Sequence, residues 1–205
     1  MKELQNPILL VEDTPNVRDF LEATLKFKGY PIISVGNGEE ALQCIAEQKP
    51  ALVITDILMP KLDGYALVQK LRTDSDTYDI PIIIISATYI TPEDREFAFQ
   101  LGIARFLEKP IDVEDFLLTV AEVLLENHTT KQLPLSREKF LQGYRTRLET
   151  KLRYKDTQIV RIERLLPSLP EGQKSSFKAM LDQAKYDRAE ITKELARLND
   201  EESEN

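Results

Sequence analysis

Cysteine and histidine are nearly missing from this chain of 205 residues, which holds one of each, Cys44 and His128. A lone cysteine closes no internal disulfide, and Cys44 falls in a helical pattern where it reads as a small packed side chain. His128 stands in a polar stretch without an apolar helical setting and reads as a linker residue. Long apolar runs are missing too. None reaches the roughly 20 residues that span a bilayer, and the N-terminus carries no signal-peptide pattern. The expectation is a cytoplasmic protein without membrane attachment. Positive charge is scarce in the first part of the chain: residues 1–130 carry 11 Lys+Arg against 22 Asp+Glu, whereas residues 131–205 carry 16 against 13. That asymmetry predicts a boundary near residue 130, and the length accommodates one domain plus a substantial appendage, or two small domains.

What the chain does have is a set of short apolar runs that end in functional groups. Ile8–Val11 ends in Glu12-Asp13, Ala51–Thr55 in Asp56, Ile82–Ile85 in Ser86-Ala87, and Ala104–Glu108 in Lys109-Pro110. Aliphatic runs of four or five residues without polar alternation predict strands buried on both faces of a parallel sheet. Ligands of such sheets bind outside the carboxyl ends of the strands, where the strand order switches. Four runs thus deliver three carboxylates, a hydroxyl and an ammonium to one edge. Strands are predicted near 7–11, 31–35, 51–55, 81–85 and 104–107, with helices near 15–28, 38–48, 64–73, 92–101 and 112–126. Thr14-Pro15 opens the first helix, Gly29 ends it, and Thr91-Pro92-Glu93-Asp94 opens the fourth. The alternation predicts an α/β fold with a doubly wound, five-stranded parallel sheet of flavodoxin type.

Three carboxylates gathered within several ångströms repel one another by about 4 kcal/mol per pair at 4 Å and an effective dielectric near 20. One ammonium, Lys109, cannot balance them. Oxygen-only ligands suit a hard cation, and few protein ligands with several waters suit Mg²⁺ better than Ca²⁺.

The order and spacing of Val11-Glu12-Asp13, Asp56-Ile57-Leu58-Met59-Pro60-Lys61-Leu62-Asp63-Gly64, Ser86-Ala87 and Phe106-Leu107-Glu108-Lys109-Pro110 resemble the receiver domain of two-component response regulators. The resemblance covers residues 5 to 127. It implies that Asp56 accepts a phosphoryl group from the phosphohistidine of a sensor histidine kinase or phosphotransfer protein. It further implies that Asp13, Asp56 and the backbone carbonyl of Leu58 hold Mg²⁺ directly, with Glu12 acting through water. Lys109 and Mg²⁺ would neutralise the in-line transition state. Ser86 would hydrogen-bond the phosphoryl group, and Phe106 would swing inward with it as a switch. Leu58 is apolar and cannot position an attacking water, and Thr88 is small and polar, so slow loss of the phosphoryl group is expected. On this reading the chain is a phosphoacceptor signalling protein and not an enzyme.

The remainder is predicted as a linker, 128–136, an all-α antiparallel helical hairpin, 137–200, and a disordered acidic tail, 201–205. Leu141, Leu148, Leu152, Ile159, Ile162 and Leu166 form one seam, with Arg145 and Lys155 at intervening positions. Phe177, Leu181, Ala184, Ile191, Leu195 and Leu198 form the other, with Arg188 in register. The charged seam positions argue against a long dry core and mark where the seam opens or where partner carboxylates dock. Pro167 stops the first helix, and Ser168 with Glu171 are placed for a capping box on the second. A lone hairpin buries little, so a homodimer through a four-helix arrangement is expected. With no Gly-rich nucleotide loop and no helix-turn-helix pattern, the hairpin reads as a protein-contact module for a downstream partner, not as an enzyme or a nucleic-acid binder. Phosphorylation is expected to act through the face made by the fourth helix, fifth strand and fifth helix. Two other readings stay open: a transcriptional regulator whose first hairpin helix, with 9 Lys+Arg against 4 Asp+Glu over 137–166, binds nucleic acid, and a phosphate-independent scaffold.

Overall fold

The structure, a computed structural model, describes residues 6–87, 91–126 and 134–203. The chain divides into two units, Met1–Leu135 and Ser136–Asn205. The first alternates strand and helix: β1 Ile8–Val11, α1 Pro15–Phe27, β2 Ile32–Val35, α2 Gly38–Glu47, β3 Leu52–Thr55, α3 Gly64–Thr73, β4 Ile82–Ala87, α4 Pro92–Gln100, β5 Arg105–Lys109 and α5 Val113–Leu125. All strand pairings are parallel, in the order β2-β1-β3-β4-β5. This is the doubly wound flavodoxin-type sheet predicted from the apolar runs. β1 and β3 are buried at every position, as strands covered on both faces must be. On one face Ile8, Leu10, Ile54, Ile83 and Ile85 pack with Leu21 and Leu25 of α1 and Phe116, Val120 and Val123 of α5.

Local chemistry sets the helix starts. Asn37 accepts from the backbone N–H groups of Glu39 and Glu40, Asp63 from Ala66, and Asp112 from Asp115. Thr91 and Asp94 form the capping box that opens α4. Thr14 makes no side-chain cap on α1, where Pro15 occupies the first turn instead. Gly29 follows α1 with φ +85°, a conformation that glycine adopts without penalty. Two strands run past their expected ends. β4 continues through Ser86-Ala87 and β5 through Glu108-Lys109, because the backbone ladder pairs Ser86 with Glu108 and Ala87 with Lys109. Apolarity marks where a strand is buried, whereas pairing needs only backbone groups.

The second unit is a helical hairpin of α6 Arg137–Leu165 and α7 Glu171–Ser203, joined through a 3₁₀ turn at Leu166–Ser168. Leu148 and Ile162 on α6 and Leu181, Ala184, Ile191 and Leu198 on α7 are buried. The charged seam positions do not open the hairpin. Lys155 pairs with Asp187 at 2.6 Å, Arg188 with Asp156 at 2.5 Å, and Arg145 donates to the Asn199 amide oxygen at 2.7 Å. These cross-links pin the register of two helices whose apolar seam alone would tolerate slippage. The capping box expected from Ser168 and Glu171 is not formed. Glu171 is itself the first helical residue, two positions short of the place that role needs, and it pairs with Lys174. The helix also continues through residues 201–203, expected to be a disordered tail, since no proline or glycine after Gly172 interrupts it. Thr88, residues 128–133 of the expected linker with His128, and residues 204–205 lie outside the described residues. No helix among the described residues is long and apolar enough to cross a membrane.

Candidate functional site

The strand order places β1 beside β3 at the centre of the sheet, and this is where the chain reverses direction across it. Val11 is level with Thr55, so the next residues, Glu12 and Asp56, emerge side by side. The Asp56 N–H donates to the Val11 carbonyl at 3.0 Å, closing that junction. One carboxylate oxygen from each of Glu12, Asp13 and Asp56 lies within 4.8 Å of the others. Glu12 and Asp56 are buried, at 1% and 9% exposure, while Asp13 is half-buried. From the far end of β5, Lys109 bridges the pair, with Nζ 2.6 Å from Glu12 Oε2 and 2.7 Å from Asp56 Oδ2. The remaining Asp56 oxygen, Oδ1, accepts from the Ile57 N–H at 2.5 Å.

The electrostatics follow from this crowding. Burial, and then the Glu12 charge, raise the Asp56 carboxyl above its ordinary value of 3.8, against the opposing pull of Lys109. Asp13 is also raised, by burial and by Asp56, with Thr14 and Lys109 opposing. Burial pulls Lys109 down, but attraction and hydrogen bonds from Asp56 and Glu12 outweigh it and hold the ammonium above its ordinary 10.5. One buried cation among three carboxylates leaves net negative charge facing an exclusively oxygen-donor pocket. Such a donor set fits a hard divalent cation.

The other expected residues sit around this centre. Ser86 is buried near the carboxyl end of β4, the strand that neighbours β3, and is level with Glu108 of β5. Phe106 of β5 is buried, with the Arg95 guanidinium of α4 over its ring at 5.5 Å. Arg95 also pairs with Glu108 at 2.5 Å, so one side chain grips β5 at two points. Leu58 is half-buried in the β3–α3 loop.

Several contributors escaped sequence reasoning. The Thr55 hydroxyl donates to the Asp56 carbonyl at 2.8 Å, and Arg18 donates to the Glu12 carbonyl at 2.8 Å. Gly64 packs its Cα against the Asp56 peptide: a β-carbon there would lie 2.1 Å from the Asp56 carbonyl oxygen. The Asp63-Gly64 pair was visible in the sequence as a helix start, but its contact with Asp56 was not. For Arg95 no sequence signal exists, because nothing in a helical register tells which strand residue lies beneath it.

Residues 8–121 match the model of the response regulator receiver domain, and the chain belongs to this family. It is 36% identical over 124 residues to the Pyropia yezoensis protein named "Probable transcriptional regulator ycf27", covering 60% of this chain and 49% of that one. It is 30% identical over 136 residues to the DNA-binding dual master transcriptional regulator RpaA of Synechocystis, covering 66% and 56%. The chain thus spans about half the length of the curated relatives it matches. The crystal structure of the chemotaxis protein CheY4 of Vibrio cholerae superposes with a TM-score of 0.55 at 28% identity, over 58% of this chain and 99% of that one. The protein is a receiver-domain response regulator of the two-component class, with a helical hairpin after the receiver.

Proposed function

We propose that Asp56 is the phosphoacceptor and that the chain signals by protein contact or homodimerisation through the helical hairpin. The observation that carries the first half is the convergence of Glu12, Asp13 and Asp56 on one point, with Lys109 bridging two of them. Asp13, Asp56 and the Leu58 carbonyl would hold Mg²⁺, with Glu12 behind a bound water. The ion would supply Lewis-acid neutralisation of the phosphoryl oxygens. A carboxylate oxygen of Asp56 forms a P–O bond as the P–N bond of the donor phosphohistidine breaks in line, and that electron pair leaves on the imidazole nitrogen. Lys109 is already held at Asp56 Oδ2, where negative charge accumulates. Ser86, at the end of the neighbouring strand, would donate to the new phosphoryl group. Arg95 would have to release Phe106 for the ring to move.

The test uses a small acyl phosphate as donor, with incorporation read by intact mass. One phosphoryl group per chain is expected in Mg²⁺, none after chelation and none in Asp56→Asn. Incorporation that survives Asp56→Asn refutes the assignment, and no Mg²⁺-dependent incorporation in the wild-type protein favours the phosphate-independent scaffold. The acyl phosphate should also be long-lived, because the Leu58 side chain stands beside it without a polar group to orient water. Leu58→Asn is expected to shorten its half-life about tenfold, less than the roughly hundredfold or more of a true general base, because an amide orients a water without taking its proton. An unchanged decay would refute that shielding role.

Support for the output half comes from the hairpin, a separate unit with a buried seam and paired charges. Molar mass by light scattering, in Mg²⁺ alone and then with beryllofluoride as phosphoryl mimic, distinguishes a constitutive dimer from a switched one. If Asp56→Asn alters neither assembly nor binding to any partner under phosphorylating conditions, the switch model fails. A second reading, nucleic-acid binding, is favoured by the names of the relatives, one of which is called DNA-binding. Against it, Lys155 is engaged by a carboxylate of α7. Duplex affinity that falls steeply with salt would support it, since released counterions set that slope.

A further inference from the structure

The helix that starts at the phosphoacceptor loop is covered on its outward side as well as toward the sheet. Every residue of α3 from Gly64 to Gln69 is buried, and six residues sweep well past a full turn of about 3.6. A surface helix ordinarily leaves one stripe to solvent. On α3 that stripe runs through Ala66 and Gln69, three apart and each 9% exposed. The chain itself meets it: Gln69 Nε2 donates to the Leu135 carbonyl at 3.0 Å, across 66 residues. Leu135 closes the receiver unit, and the next residue, Ser136, caps α6. A second observation shows that this contact is held at a cost. Gln69 Oε1 is buried and accepts no hydrogen bond among the described residues. Turning the amide over would set that oxygen against the Leu135 carbonyl, so the bond itself fixes its orientation. A buried acceptor without a donor costs at least as much as a neutral hydrogen bond returns.

We propose that Gln69 is a releasable tether on the residue from which the hairpin starts, and that α3 carries the state of Asp56 to it. The coupling rests on Asp56 being the phosphoacceptor. At its first residue α3 has no slack. A β-carbon on Gly64 would lie 2.1 Å from the Asp56 carbonyl oxygen, and the Gly64 N–H donates to the Ile57 carbonyl at 2.8 Å. Asp63 closes the same turn by accepting from the Ala66 N–H at 2.9 Å. Gln69 stands five residues after Gly64, about 7.5 Å further along the axis at 1.5 Å per residue. A phosphoryl group on Asp56 crowds this loop, and a helix packed against it without clearance shifts as one body. A shift of about 1 Å takes the tether to about 4 Å, where it is no longer a hydrogen bond. Its loss also lets the orphaned Oε1 meet water, so release relieves the unmet acceptor. The hairpin then starts from a residue that is free instead of fixed.

The test follows the Gln69 side-chain amide of the full chain by NMR, its signals identified by their loss in Gln69→Met. Beryllofluoride with Mg²⁺ is the probe, and the Asp56 backbone amide reports its binding. On binding, the Gln69 amide protons should shift and exchange with solvent about tenfold faster, as a bond that opens more often does. Gln69→Met keeps the shape while removing both the donor and the orphaned acceptor. By reciprocity it should bind beryllofluoride about fivefold more tightly. Gln69→Glu sets a carboxylate against the Leu135 carbonyl, and trypsin should then cut after Arg137 about tenfold faster, with circular dichroism checking the fold. Unchanged cleavage in this variant overturns the tether. Unchanged beryllofluoride affinity in Gln69→Met overturns the coupling and leaves Gln69 a structural residue. A Gln69 amide that stays in place while the Asp56 amide shifts overturns the coupling as well. If the Asp56 amide does not shift either, the phosphoacceptor reading itself fails and the coupling falls with it.

Discussion

Replacing Lys109 with methionine is expected to remove about 3 kcal/mol of folding stability at neutral pH, because it leaves a buried carboxylate pair without its cation. The ammonium lies within 2.7 Å of both Glu12 and Asp56 and is itself largely buried. The deficit should depend on pH with a definite sign. Asp56 and Asp13 titrate above 3.8 in the folded protein, so the native state binds more protons than the unfolded chain between 3.8 and the raised values. Stability therefore falls as pH climbs through that window and stays lower above it. The wild-type protein should show this trend already, and the variant should show it more strongly, converging on wild type as pH falls below 4. On the alkaline side the contribution of Lys109, held above 10.5, is present below that value and lost as pH rises past its raised one. Urea titrations between pH 4 and 8 read the acid side directly. Saturating Mg²⁺ should restore about 2.7 kcal/mol at a hundred times its dissociation constant. A deficit independent of both pH and Mg²⁺ would mean that Lys109 acts by packing rather than charge.

Gly64→Ala is expected to be nearly as damaging and to join stability to chemistry. A β-carbon at this position meets the Asp56 carbonyl oxygen at 2.1 Å and Ile57 Cα at 3.0 Å. Both are backbone atoms and cannot rotate away. The Gly64 N–H also donates to the Ile57 carbonyl at 2.8 Å, so α3 cannot simply lift off. Overpacking against a fixed loop costs about 3 kcal/mol. Because the displaced atoms carry the Asp56 carboxylate, phosphoryl incorporation should fall about a hundredfold, as for a 1 Å misplacement of a reacting group. Incorporation rates and urea midpoints measured on the same preparation separate the two effects. Loss of stability with an unchanged rate would show that the loop relaxes without moving Asp56.

The parts of this architecture that could be read early were those carried by local pattern. Ile8–Val11 and Leu52–Thr55 announced buried parallel strands because no polar residue interrupts them, and acidic residues follow at once. Thr91 and Asp94 announced a helix start because capping is a contact between near neighbours. Strand ends were less legible: Ser86 and Lys109 belong to the ladder through backbone pairing, to which side-chain character is indifferent. In the hairpin, the heptad pattern revealed the seam, but Arg145, Lys155 and Arg188 looked like interruptions until Asn199, Asp187 and Asp156 were found opposite them.

By itself the sequence determined the fold class, the family and the identity of the acidic cluster, because each rests on spacing along a strand or helix. Tertiary structure alone decided that Lys109 bridges Glu12 and Asp56 across 97 and 53 residues, and that Gly64 touches the Asp56 peptide. It alone placed Arg95 over Phe106. Such contacts join residues distant in the chain, and their geometry depends on how whole helices settle on the sheet, which no local periodicity encodes.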